Sequence, residues 1–271
     1  MPSTLAAARE PTAGQAARHP LVRLEQVGKV FSNGVVALKA LDLAIGEREF
    51  VSLLGPSGCG KSTALRLIAG LGEPSAGRIV WGSGAGGRRE TRRDIGFVFQ
   101  DATLMPWATV WSNVYLPLRL EHVARRDAAP RVDAALAMVG LPGFEGAYPR
   151  ELSGGMRMRV SIARALVTEP RVLLMDEPFA ALDEITRFKL NDDLLRLWKA
   201  QDWTVVFVTH SVYESVYLSS RIAVMAPRPG RIAGEIRVDA PYPRSEAFRT
   251  SEPYNAYCRA VSAKLHEAMG E

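Results

Sequence analysis

The chain has 271 residues, 47% of them hydrophobic and 23% charged, a composition that excludes a disordered or fibrous protein and leaves room for one large domain or a core with a lobe. No run approaches the ~18 uncharged apolar residues a membrane helix needs, and two distant cysteines, Cys59 and Cys258, exclude a disulfide scaffold and suit a reducing compartment. The formal net charge of +5 fits phosphate ligands or an anionic membrane surface without being a nucleic-acid signature.

Residues 1–19 are rich in Ala, Pro, Gly, Ser and Thr, lack an apolar signal region and read as a mobile tail. Residues 21–31 alternate as a strand that ends at the turn Ser32-Asn33-Gly34. Residues 20–50 and 76–81 are expected to supply antiparallel strands beside a main sheet. The apolar run 50–54 predicts a buried strand, and 61–69 a helix stopped by Gly70. Residues 82–87 and 88–93, glycine-rich and then charged, read as an exposed loop. A second buried strand is expected at 95–99, then a helical stretch at 111–139 interrupted at Pro117 and Pro130. Gly154 opens a helix through Val167, and further strands are predicted at 171–175 and 203–208. Between them, residues 187–199 form an amphipathic helix with Leu190, Leu194, Leu195 and Trp198 on one face. Alternating strands and helices predict an α/β fold with a parallel sheet covered on both faces, and the block from about 101 to 163 an inserted helical lobe. Residues 237–271 read as a packing appendage with a last helix near 254–269, after a principal domain at 20–236.

The segment Gly55-Pro56-Ser57-Gly58-Cys59-Gly60-Lys61-Ser62 fits the phosphate-loop pattern completely, between a strand and a helix. Its glycines let backbone N–H groups wrap phosphate oxygens, and the helix N-terminus adds a positive dipole end. Lys61 supplies a charge between β- and γ-phosphates, Ser62 a hydroxyl ligand for Mg²⁺, and Thr63 extends the nucleotide contacts. Cys59 is a small filler, with no Cys/His pair nearby to make it a nucleophile.

Four apolar strands end in polar residues: one in the phosphate loop, the others at Gln100, at Asp176-Glu177 and at Thr209-His210. Ligands of open α/β sheets bind beyond the carboxyl ends of the strands, so a shared sheet gathers all four ends at one edge. Asp176 is expected to hold Mg²⁺ through a water, and Glu177 to orient or deprotonate the water that attacks the γ-phosphorus. His210 is expected to contact the γ-phosphate and hold that water, and Gln100 to sense the γ-phosphate and Mg²⁺ from the base of the lobe.

Leu152-Ser153-Gly154-Gly155 precedes the helix that leads to the acidic strand. With the phosphate loop, Gln100, Val172–Glu177, Ala180-Ala181-Leu182-Asp183 and His210 in this order, residues 21–235 resemble the ATPase subunit of an ABC transporter, a P-loop NTPase with a RecA-like core. The resemblance implies ATP and Mg²⁺ as ligands and a head-to-tail dimer of two copies, in which Ser153, Gly154 and Gly155 cap the partner's ATP. It also implies that Phe31 stacks on adenine, where the family more often has Tyr, and that Asp183 couples the two sites. Partners would be integral membrane permease subunits and, indirectly, a periplasmic or extracellular solute-binding protein, with the chain at the cytoplasmic face of the inner membrane and no nucleic acid. Met156 after the signature, the Gln100–Trp107 segment and residues 227–232 resemble the importer branch for nitrate, sulfonate, taurine and pyrimidine-type solutes; Met158 departs from the pattern. Met105 and Trp107 are read either as lobe core or as the edge of a groove for a permease helix. A cassette acting on DNA or the ribosome is the alternative reading, and such relatives usually carry two cassettes or a long coiled coil.

Overall fold

The computed structural model describes residues 20–82 and 94–270. The predicted tail and nearly all of the predicted exposed loop lie outside the described residues. Strands β1 (Val22–Val30), β2 (Val36–Ile45) and β4 (Ala76–Trp81) form an antiparallel sheet in the order β2-β1-β4, where antiparallel material was expected. The main sheet has the order β5-β6-β7-β3-β8-β9, from β5 (Ile95–Val98), β6 (Val172–Asp176), β7 (Thr204–Thr209), β3 (Phe50–Leu54), β8 (Arg221–Ala226) and β9 (Arg231–Arg237). All its pairings are parallel except β8 with β9.

Strands β3, β6 and β7 are buried along their whole length, which is why they read as unbroken apolar runs rather than alternating ones. Their side chains still alternate between two cores. Phe50, Leu173, Met175, Val205 and Phe207 join one cluster with the helical lobe, α5 (Glu184–Gln201) and α6 (Val212–Leu218). Val51, Leu53, Leu174, Val206 and Val208 face the other, shared with α1 (Lys61–Ile68) and the small sheet.

The lobe corrects one expectation. Pro117 and Pro130 lie inside α2 (Val110–Leu120) and α3 (Arg125–Met138) instead of interrupting them. Val114 and Leu118 on α2, and Val132, Ala135 and Leu136 on α3, are buried around the prolines, and that packing outweighs one missing backbone donor in each helix. The break falls instead at His122, which takes the left-handed conformation at φ 61°. There the Val123 N–H bonds Leu118 O and the His122 N–H bonds Arg119 O, a Schellman closure. Helix α4 (Gly154–Leu166) carries the signature, and Met158 on it is buried in the core rather than exposed on an interaction face.

The appendage contains α7 (Glu246–Arg249) and α8 (Glu252–Met269) and is continuous with the main core, where Val238, Tyr254, Cys258 and Val261 are buried. Arg244, 5% exposed, donates to the carbonyls of Val216, Tyr217 and Ser219, the otherwise unpaired C-terminal end of α6.

The turn between β8 and β9 ties the two sheets together. Gly230 bridges to Leu38 and exchanges backbone hydrogen bonds with Ala37 and Lys39. A Cβ at Gly230 would lie 2.1 Å from the Cys59 carbonyl in the phosphate loop, so only glycine fits. Gly230→Ala is expected to lower stability by about 1–3 kcal/mol through overpacking; a wild-type urea midpoint would contradict this packing.

Candidate active site

The parallel register builds the site. Leu54 pairs with Thr209 and Asp176 with Val208, so the ends of β3, β6 and β7 meet at one edge. The phosphate loop leaves β3 and enters α1 through Gly60, at φ 96°, as N-cap. That cap contributes no side-chain hydrogen bond, and the first helical turn carries no acid. The free N–H groups of the helix start therefore face the loop without an internal anion, a ready seat for phosphate. Cys59 is fully buried, and burial pushes its thiol pKa up, so it stays a neutral filler as expected.

Lys61 is the hub. Its Nζ donates to the carbonyls of Gly55 at 2.9 Å and Pro56 at 3.0 Å, and lies 3.3 Å from Glu177 Oε1. The other carboxylate oxygen of Glu177 is 2.9 Å from His210 Nδ1. Side-chain exposures of 3% for Lys61 and 15% for Glu177 leave this contact little screened by solvent. Glu177 turns out of β6 in the left-handed region at φ 46°, rare for a residue with a side chain. Its N–H bonds Val208 O at 3.0 Å, which pins the turn to β7. The turn separates the Glu177 carboxylate from that of Asp176.

Asp176 accepts a 2.7 Å hydrogen bond from Ser62 Oγ. Burial raises its carboxyl pKa, opposed by that hydrogen bond. Two adjacent hard oxygen groups at the end of the phosphate loop fit the donor chemistry of Mg²⁺, which takes one or two protein oxygens and fills its shell with phosphate and water.

Not every predicted residue joins this cluster. Gln100 is exposed, just beyond β5, and makes no side-chain hydrogen bond to Ser62 or Asp176 among the described residues. Ser153 caps α4 by accepting from Met156 N at 3.2 Å. The signature lies against the aspartate loop and the start of α5 in its own chain: ideal Cβ atoms at Gly154 and Gly155 would meet Leu182 at 3.4 Å and Thr186 at 2.7 Å. Asp183 caps α5 through Thr186 N. Phe31 is 45% exposed at the turn after β1, with Lys29 Nζ 5.8 Å from its ring centroid.

Sequence reasoning passed over Gly230, Arg187 and Glu214. Gly230 lies in the segment 227–232, whose contact with the phosphate loop no local pattern encodes. Glu214 accepts a 2.6 Å hydrogen bond from Thr209 Oγ1 and is the third residue of a helix capped by Ser211, and that Ser-x-x-Glu spacing is the signal that could have found it. A groove of about 700 Å³ between lobe and sheet edge is lined by Phe97, Thr103, Pro117, Leu120, Arg164 and Thr168, among others. Beside the glutamine segment, Trp107 is 78% exposed and so is not lobe core.

The ABC transporter profile matches residues 38–180. An uncharacterized ABC transporter ATP-binding protein of Methanocaldococcus jannaschii is 45% identical, covering 89% of this chain and 89% of its own length. An aliphatic sulfonates import ATP-binding protein of Bacillus licheniformis is 46% identical, covering 86% of this chain and 89% of that protein. Among solved structures, a dimeric post-hydrolysis ATP-binding cassette with ADP and Pi is 36% identical with a TM-score of 0.70, covering 81% of this chain and 99% of that one. A cassette of a Clostridium perfringens ABC transporter complex is 27% identical with a TM-score of 0.72, covering 93% and 96%. These two relatives carry transporter and import names, and the reading of a cassette acting on DNA or the ribosome finds no support in them. The chain belongs to the ABC transporter family, as one of its ATP-binding and ATP-hydrolysing cassettes.

Proposed function

We propose that this cassette powers an importer for a small solute of the sulfonate class, working as a pair of copies that close head to tail around ATP. The observation that carries its catalytic half is the unbroken line from Lys61 through Glu177 to His210. In this reading the β- and γ-phosphates take over the Lys61 ammonium from the Gly55 and Pro56 carbonyls. Ser62 and Asp176 would hold Mg²⁺, which when bound neutralises charge on the phosphate oxygens. Glu177 orients the attacking water and accepts its proton as the water oxygen bonds the γ-phosphorus. The bond to the β–γ bridging oxygen breaks, and the electron pair leaves with ADP. His210 holds the water and the γ-phosphate in line, Phe31 stacks on the base, and Gln100 reports the γ-phosphate to the lobe.

Ser153 and the Gly154 and Gly155 N–H groups cap the ATP of a second copy. What supports this is a helix N-terminus whose exposed serine makes no contact with its own phosphate loop among the described residues. The dimeric state named for the similar cassette agrees with it. The groove lined in part by Thr103 of the glutamine segment would receive a short helix of a membrane permease, and a separate solute-binding protein would deliver the cargo. Among the described residues no helix is long and apolar enough to cross a membrane, so membrane attachment would come through that permease. Sulfonate-import names at 43% and 46% identity, with Met156 after the signature, support the solute class.

Glu177→Gln should retain ATP but lose about 10²-fold or more in turnover, read by phosphate release; an unimpaired rate would remove Glu177 as the base. Lys61→Ala should weaken equilibrium ATP binding at least about tenfold, and unchanged affinity would overturn the phosphate-loop assignment. Mixing Ser153→Arg with Lys61→Ala chains should restore at most one composite site per dimer. Full wild-type activity in the mixture would rule out sites shared between copies.

A further inference from the structure

His210 is half exposed just beyond a strand end, with its Nδ1 2.9 Å from Glu177 Oε2. An imidazole in that setting needs its backbone fixed if it is to hold a water to within a few tenths of an ångström. The neighbouring residues supply the fixing. Thr209 Oγ1 donates to Glu214 Oε2 at 2.6 Å and accepts from Ser211 N at 3.0 Å. Ser211 Oγ in turn accepts from Glu214 N at 3.3 Å. His210 is thus bracketed on both sides by residues tied to Glu214, Thr209 through its carboxylate and Ser211 through its backbone N–H. Glu214 itself is only 8% exposed. Among the described residues its second oxygen, Oε1, has no hydrogen-bond partner and lies 3.8 Å from Arg187 Nε, which has none either.

Arg187 belongs to the first turn of α5. Its Nη2 donates to Leu182 O at 2.8 Å, and its N–H to Asp183 O at 2.9 Å. The guanidinium therefore touches the end of the aspartate loop with one nitrogen and faces the switch carboxylate with another. A buried carboxylate without a countercharge is strongly unfavourable, so the position of Glu214 follows that of Arg187. The geometry points to Arg187 and Glu214 as positioning residues: a charge pair that ties the aspartate loop to the Thr209–Ser211 turn and so fixes where His210 meets Glu177. Neither touches nucleotide, and both act through His210, so the inference rests on the catalytic role proposed for that histidine.

The test uses the full chain with Arg187→Met, Glu214→Gln, the double variant, Arg187→Lys and His210→Ala, with kcat and KM for ATP measured separately. Arg187→Met and Glu214→Gln should each lower kcat about tenfold while KM stays within about twofold, because orientation and not binding is lost. The double variant should be no slower than the slower single one, and Arg187→Lys should recover most of the rate by keeping the charge. Rates within about twofold of wild type in both single variants, with His210→Ala inactive, would overturn the pairing. So would losses that multiply in the double variant, which mark two independent structural defects. A fully active His210→Ala would instead sink the role of the histidine itself. If Glu214→Gln fails to fold, Arg187→Met and its lysine counterpart, on a side chain 29% exposed, decide the question by the same split between kcat and KM.

Discussion

A nearly buried ammonium beside a carboxylate, at the ends of parallel strands, is the constraint around which this cassette is organised. Burying the Lys61 side chain is costly unless its donors find acceptors, and the chain provides two loop carbonyls and Glu177. Each is there because of backbone geometry. The phosphate loop turns through left-handed Gly58 and Gly60, and Glu177 sits in its own left-handed turn, pinned to Val208. The pairing of β6 with β7 and of β7 with β3 then brings Asp176, Glu177 and His210 to the same edge of the sheet. A slip of one residue in that register would turn the alternate side chains into the wrong core and carry the carboxylates away from the loop.

Much of this is legible in the sequence because the buried strands and the phosphate loop obey local rules. Unbroken apolar runs mark β3, β6 and β7, and the polar residue ending each one marks the edge where ligands bind. The apolar face of α5, with Leu190, Leu194, Leu195 and Trp198, is buried as its spacing predicts. What local rules missed is set by distant contacts. Packing of the lobe carries α2 and α3 through Pro117 and Pro130, and a left-handed histidine makes the break instead. The strand β9, the fit of Gly230 against the phosphate loop and the capping of α6 by Arg244 all join segments far apart in the chain.

The two halves of the chemistry sit on different mechanical parts. Lys61, Asp176, Glu177 and His210 ride on the main sheet, while the signature serine rides on α4, packed against α5. Both parts meet near Leu182: Arg187 holds its carbonyl, and a Cβ at Gly154 would touch its side chain. The aspartate loop thus lies between the signature of one proposed site and the switch of the other. In the proposed dimer a displacement there would reach both ends, and a ligand that favoured one arrangement of the loop would shift both together.

The central claim is that Glu177 occupies, beside Lys61, the electrostatic place a terminal phosphate will contest. The ratio of ATP to ADP affinity tests it most directly, measured by equilibrium binding without Mg²⁺ on dilute, monomeric wild-type and Glu177→Gln chains. Removing the carboxylate charge should strengthen ATP binding more than ADP binding, since only ATP brings a γ-phosphate into that contact. An unchanged ratio would mean that Glu177 and the terminal phosphate never share the ammonium, and the account would be wrong at its centre.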